Sequence, residues 1–263
     1  MKIRVLFSGI GLIFLSYMSA CGSSSTVSSQ DTSTHQLTLK IAMTSSASQS
    51  NSTSITSNPI NLSVSPSAVT VKVFNIYLSQ NLDCSSPVNV FQSSEGKDLD
   101  ITVDPIINVA DAPSGTYPCV MLQMSDQIHF SPAATEGECI AGNQYLADVC
   151  NNGEKTQDPV TGAVSTCKDN ENNQVTLYIS SNAICKGNSM ISNDPNCGEN
   201  WSPFLPSRSS GDTEQGIKLN GDILINQDIT GTFLIDFTNK IEGGQGNQNG
   251  CGIQPPSFGF VTE

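Results

Sequence analysis

Leu37, Leu39, Ile41 and Met43 alternate with Thr38, Lys40 and Ala42, the two-residue period of a strand with one buried face. The same period returns at Ile60, Leu62 and Val64 and at Val69, Val71 and Val73. It then slips by one residue to Phe74, Ile76 and Leu78, which predicts a β-bulge near Val73 and Phe74. Further strands are expected over Val88–Gln92, Leu99–Val103, Tyr117–Met124, Ile128–Phe130, Ile217–Leu219, Ile223–Ile225, Phe233–Phe237 and Phe258–Val261. No segment carries a sustained helical period. Many short strands separated by turn residues indicate an antiparallel β-sandwich, with a closed barrel as the alternative. The segments are too short and too poor in terminal aromatics for an outer-membrane barrel.

Two stretches break the alternation. Residues 44–58 are rich in Ser, Thr and Asn and read as a long loop. Residues 131–204 carry five cysteines and dense turn chemistry, such as Asn152-Gly153, Asp158-Pro159 and Asp194-Pro195, interrupted by one strand at Val175, Leu177 and Ile179. The expectation is a disulfide-stapled, loop-rich insertion within a sandwich domain spanning 36–263.

The N-terminus changes the picture. Lys2 and Arg4 precede an apolar run from Val5 to Tyr17, and Ser19-Ala20 supply small residues before Cys21. The run is too short and too interrupted to span a membrane. Residues 1–20 therefore read as a lipoprotein signal peptide, with Cys21 as the lipid-attachment residue. Three acyl chains there would anchor the protein firmly to a membrane. Residues 21–35 follow as a disordered Ser/Thr tether. Gly22 rather than Asp after Cys21 points to outer-membrane sorting in a Gram-negative envelope. Removing Lys2 and Arg4 with the leader takes the formal charge from −13 to −15, which excludes a basic nucleic-acid surface.

Nine cysteines are an odd number, and setting Cys21 aside leaves eight: Cys84, Cys119, Cys139, Cys150, Cys167, Cys185, Cys197 and Cys251. Behind an export signal these predict a disulfide framework. Cys84 with Cys119 and Cys139 with Cys150 are the expected pairs, and Cys167, Cys185, Cys197 and Cys251 are expected to pair among themselves. No CxxC spacing accompanies the two histidines, which argues against a zinc site.

Residues 99–124, LDITVDPIINVADAPSGTYPCVMLQM, and residues 205–238, running from LPS through GIKL to TGTFLIDF, resemble an uncharacterised family of bacterial lipoprotein domains with prealbumin-like, Ig-like β-sandwich folds. The resemblance implies a sandwich and no particular activity. In its Pro-x-Gly-x-Tyr segment, Gly115 is expected to take a positive φ and Tyr117 to cap the core.

Catalytic chemistry is sparse. A nucleophilic triad requires a histidine, and His35 lies in the tether while His129 projects from the polar side of its strand. Oxygen-rich clusters at Asp148, Asn151, Asn152 and Glu154, and at Asp169, Asn170, Glu171, Asn172 and Asn173, suit calcium, but they lack EF-hand spacing and also suit turns. Trp201, the only tryptophan, could form an aromatic platform with Tyr178 or pack with Phe204 against the sandwich. The expectation is a non-enzymatic, envelope-anchored binding or structural module for protein or glycan, without a cofactor. The alternatives are a secreted hydrolase with an acidic active site and a calcium-dependent adhesin module.

Overall fold

Two strands of 14 residues each, Pro66–Ser79 and Cys119–Pro132, lie side by side and organise the larger of two facing sheets. The computed structural model describes residues 33–43, 64–103, 105–108, 111–168, 173–184, 201–206, 215–244, 250–254 and 256–262. In chain order the strands are β1 (Thr34–His35), β2 (Leu37–Met43), β3 (Pro66–Ser79), β4 (Val88–Asp100), β5 (Ile106–Asn108), β6 (Ala112–Pro113), β7 (Gly115–Tyr117), β8 (Cys119–Pro132) and β9 (Tyr145–Asp148). They continue as β10 (Lys155–Gln157), β11 (Val164–Thr166), β12 (Gln174–Ser180), β13 (Ile217–Lys218), β14 (Ile223–Ile225), β15 (Ile229–Asp236), β16 (Ile241–Gly243), β17 (Cys251–Ile253) and β18 (Ser257–Thr262).

The larger sheet runs in the order β13-β12-β8-β3-β4, with β9 also paired to β8, and the smaller in the order β18-β15-β2-β5. One core joins them. Val69, Val71 and Val73 come from β3, Leu37, Leu39 and Ile41 from β2, and Phe233 and Ile235 from β15, all buried. Each such aliphatic side chain withdrawn from water stabilises the fold by roughly 1.5–3 kcal/mol. The all-β sandwich expected from the alternation is therefore the fold. Two of its pairings are parallel rather than antiparallel, β2 with β15 and β12 with β13.

The phase slip at Val73 and Phe74 is a bulge, as the sequence predicts, since the register of β3 shifts between Val73 and Asn75 against both neighbours. Other boundaries differ. The strand expected over Leu99–Val103 ends at Asp100, whose carboxylate accepts from the Thr102 N–H at 3.0 Å and turns Ile101–Val103 into a 3-10 helix. The two strands expected over 117–130 are one, β8, because a local irregularity at Ser125–Gln127 interrupts the alternation without ending the pairing. The tether expected through His35 already holds a strand at Thr34–His35, paired with Ala112–Pro113. Val64 bridges to Ile241, while the rest of the segment expected at Ile60–Val64 and the loop 44–58 lie outside the described residues.

The largest correction concerns residues 131–204. Two of their strands belong to the sandwich itself: β12 pairs with β8 along its whole length, and β9 with the distal part of β8. Val175, Leu177 and Ile179 supply the apolar face that makes β12 a core strand, whatever the polarity of the loops around it.

Candidate functional site

Between the two sheets the core opens into a cavity of about 340 Å³. Val71 and Val73 of β3, Leu122, Met124 and Ile128 of β8 and Leu177 of β12 form one wall. Ile41 of β2, Ile235 of β15 and Phe258 of β18 form the facing one. Apolar pockets of this size with a few polar groups at one end are the usual form of a small-molecule site. Here the polar side chains on the lining are Asp148, Asn151 and Gln254, and among the described residues no Lys, Arg or His reaches it. Trp201 lies half-buried on the wall, with its indole N–H donating to the Gly216 carbonyl at 2.9 Å. Bulges sit in both long strands that bound the cavity, and a bulge bends its strand and adds local twist.

Asp126 is not on the lining but lies near enough to Asp148, which is, to feel its charge. The register of β8 shifts so that Val71 faces Ile128 and Val73 faces Met124, leaving Ser125, Asp126 and Gln127 opposite Lys72 alone. On its other edge β8 changes partner at this point, pairing with β12 up to Ser125 and with β9 from Gln127. Asp126 stitches the junction. Its N–H donates to the Asn173 carbonyl at 2.9 Å, its carbonyl accepts from the Val149 N–H at 2.8 Å, and its Oδ1 accepts from the Asn173 N–H at 3.0 Å. The residue has no solvent exposure and Oδ2 has no hydrogen-bond partner. Burial, reinforced by the charge of Asp148, pushes its carboxyl up to about 6 despite the opposing hydrogen bonds from Asn173. Burial likewise raises Glu154.

The two oxygen-rich clusters separate into different roles. The Glu154 carboxylate accepts from the Asn151 N–H and side-chain amide, both at 3.2 Å, and so closes the turn after β9. Gly153 takes a φ of 92° there, and Cys150–Cys167 bridges the base of the loop. Asn173 is spent on Asp126, and Asp169, Asn170, Glu171 and Asn172 lie outside the described residues. Among the described residues no group of three or more His, Cys, Asp or Glu side chains is arranged to hold a metal ion.

Among the described residues three disulfides are formed. Cys84–Cys119 is the expected pair, but Cys139 joins Cys251 and Cys150 joins Cys167. Sequence proximity suggested Cys139 with Cys150. The chain between them instead runs back along β8 as β9 and carries the two sulfurs apart, while β17 brings Cys251 beside Cys139. Cys21, Cys185 and Cys197 lie outside the described residues.

Trp201 and Tyr178 do not share a platform. Trp201 lines the cavity, whereas Tyr178 alternates to the opposite side of the sheet, 1 % exposed, with its hydroxyl donating to the Gln157 carbonyl at 3.1 Å. Tyr178 there borders a concavity of about 660 Å³ between residues 83–87 and 157–164, lined by polar and apolar side chains alike. His129 is exposed, as its strand position predicts. His35 is held rather than free: its Nε2 lies 3.3 Å from Ser33 Oγ and its Nδ1 3.7 Å from Asp228 Oδ1. Sequence reasoning missed Asp126 because one acid among polar neighbours in a strand carries no signal of burial. The available clue was phase: Leu122, Met124, Ile128 and Phe130 alternate without a slip, and Asp126 occupies the inward position between them.

In the Pro-x-Gly-x-Tyr segment, Tyr117 is fully buried and its hydroxyl donates to the Pro113 carbonyl at 2.6 Å. Gly115 does not take a positive φ; it is small because the side chain of Gln80 lies where a Cβ would be.

No protein-family model, no curated protein and no solved structure matches this chain.

Proposed function

We propose that this protein is a non-enzymatic bacterial envelope lipoprotein, tethered through lipid on Cys21 to the outer membrane, whose sandwich is a binding module with the inter-sheet cavity as its ligand site. The observation that carries the binding role is the apolar cavity itself, which in a well-packed sandwich core of this size has no structural purpose. The leader sequence supports the anchor, and the three disulfides suit an oxidising compartment. The concavity beside Tyr178, with Asp83, Ser85, Ser86, Gln157 and Thr161 on its lining, offers hydrogen-bonding groups for a protein or glycan partner. The resemblance to lipoprotein sandwich domains agrees with this reading.

Metabolic labelling with an alkynyl palmitate tests the anchor. The wild type takes up label and fractionates with membranes, while Cys21→Ser loses the label and becomes soluble. Label retained by Cys21→Ser, or a wild type without label, overturns the anchoring.

A hydrolase is the second reading, favoured by the sequence of contacts from Ser33 to His35 to Asp228. Against it, the Asp228 side chain is 76 % exposed, its distance to His35 exceeds a hydrogen bond, and its Oδ1 already accepts from the Gln36 N–H. Asp126 in turn is too deeply buried to touch a substrate. Covalent labelling by a fluorophosphonate that Ser33→Ala abolishes would establish a serine hydrolase; absence of labelling removes the Ser33–His35–Asp228 triad.

A further inference from the structure

The cavity between the sheets is drawn out rather than round. Leu99 of β4, Val71 of β3, Ile128 of β8 and Ala147 of β9 are partners in one continuous row across the larger sheet, and all four line it. Three inter-strand spacings make that row about 14 Å long. The lining then continues along the strands to the paired Leu122 and Leu177. A round space of about 340 Å³ would be shorter than the row alone, so the volume is spread as a narrow band over the sheet. An apolar cavity of about 150 Å³ takes the six carbons of benzene, and on the same scale about 340 Å³ takes roughly a dozen. Walls of this kind offer water few hydrogen bonds, whereas an alkyl chain gains dispersion contacts along its length. A compact ring system of equal carbon count would leave the ends of the band empty. Val149 and Asn151 after β9, and Ile253 and Gln254 at the end of β17, which packs beside β9, are partly or fully exposed on the lining, and the cavity meets water there.

We propose that the inter-sheet cavity binds one unbranched alkyl chain of about twelve carbons, the tail of an amphiphile whose head group stays outside in water. This rests on the reading of the cavity as the ligand site and names the ligand class for it. The chain lies between Val71, Val73 and Leu122 on one side and Ile41 and Ile235 on the other, and selection is by the length and slenderness of the tail.

Trp201 is the only tryptophan of the chain and stands on the cavity wall, so its emission reports occupancy without a label. The full chain carrying Cys21→Ser, which removes the acyl attachment residue, is titrated with hexyl, octyl, decyl, dodecyl and tetradecyl maltoside, each below its critical micelle concentration. Decanol and 1-adamantanol, neutral alcohols of equal carbon count, are compared in the same way. Affinity is expected to rise about fourfold per added methylene up to the dodecyl chain and to level off there. Decanol is expected to bind at least about tenfold more tightly than adamantanol, whose cage touches less of the wall. Ala147→Leu, which fills space at the end of the row, moves the levelling-off to a shorter chain; should that variant not fold, the wild-type series and the two alcohols decide the matter alone. Adamantanol binding as tightly as decanol overturns the chain as ligand while leaving the cavity as a binding site. Affinity that keeps rising through tetradecyl, or a series unmoved in folded Ala147→Leu, overturns the placement of the chain in this cavity. Maltosides that fail where decanol binds overturn the position of the head group. No saturable response to any probe, in emission or in melting temperature, overturns the proposal together with the reading of the cavity as the ligand site.

Discussion

Asp126 and Asn173 hold each other twice, the Asp126 N–H donating to the Asn173 carbonyl at 2.9 Å and the Asn173 N–H returning to Asp126 Oδ1 at 3.0 Å. The pair closes the point at which β8 exchanges β12 for β9. It does so with a carboxylate whose second oxygen is buried and unpartnered. Burying a charged oxygen without a partner is costly, so the junction is bought at the expense of stability at neutral pH.

That cost has a sign. The folded-state carboxyl of Asp126 titrates near 6, above the ordinary value of about 3.9 for an unfolded chain. Between these values the native state holds more protons than the unfolded state, so this group's contribution to stability falls as pH rises from about 4 to about 6. Asp126→Asn removes the titration and keeps an acceptor for the Asn173 N–H. Thermal melts should show the variant more stable than wild type at pH 7, with the difference shrinking toward pH 4. A difference that stays constant across that range would contradict the burial of the charge. Glu154, raised in the same direction, leaves a residual slope in both proteins.

The Cys139–Cys251 bridge spans 112 residues and ties the β8–β9 turn to the C-terminal strands. Closing so long a loop in the unfolded chain is worth about 4–5 kcal/mol in the chain-entropy view. Cys139→Ser with Cys251→Ser together should destabilise the protein more than the paired change at Cys150 and Cys167, whose separation is 17, by about 1.7 kcal/mol on the same view. Urea titration of the two double variants checks the order. Equal losses would point to local strain rather than loop closure.

Tyr117 fills a fully buried position and donates its hydroxyl to the Pro113 carbonyl at 2.6 Å. Tyr117→Phe keeps the ring and loses the hydrogen bond, which should destabilise the protein by about 1 kcal/mol. Tyr117→Ala, which also empties the site, should cost about 3–5 kcal/mol, by analogy with buried Phe and Trp truncations. Chemical denaturation of both separates the hydroxyl from the ring.

Ala147 is buried on β9 and lines the cavity. In a close-packed core Ala→Leu strains its neighbours by about 1–3 kcal/mol, but into open space it adds contacts instead. A raised melting temperature for Ala147→Leu is therefore expected, and a fall of several degrees would mean that the cavity wall does not accept the larger side chain.

The alternation of Leu37, Leu39 and Ile41 and of Val69, Val71 and Val73 made the strands legible, because each has one face toward the core. The bulge was legible for the same reason, as a slip in that period. What the sequence did not disclose was partnership. Nothing local in Val175-Thr176-Leu177 says that it pairs with β8 rather than stands apart, and the polar loops on either side suggested an appended segment. Cysteine spacing misled in the same way, since Cys139 and Cys150 are near in sequence but lie at opposite ends of the β9 hairpin arm. The cavity was invisible for a further reason. Its lining residues are for the most part ordinary core residues, with nothing in their local pattern to mark open space between them.

The parallel pairing of β2 with β15 also sets an order in time. β2 lies near the start of the chain, yet its neighbour arrives 192 residues later, the separation between Gln36 and Asp228 at the head of the ladder. The smaller sheet cannot close until Ile229–Asp236 has reached β2. Until then Leu37, Leu39 and Ile41 belong to a strand whose β15 edge is unpaired, open to association with other chains. Such non-local contacts slow folding, and a chain cut short before β15 would retain every residue of β2 while losing the strand that buries its edge.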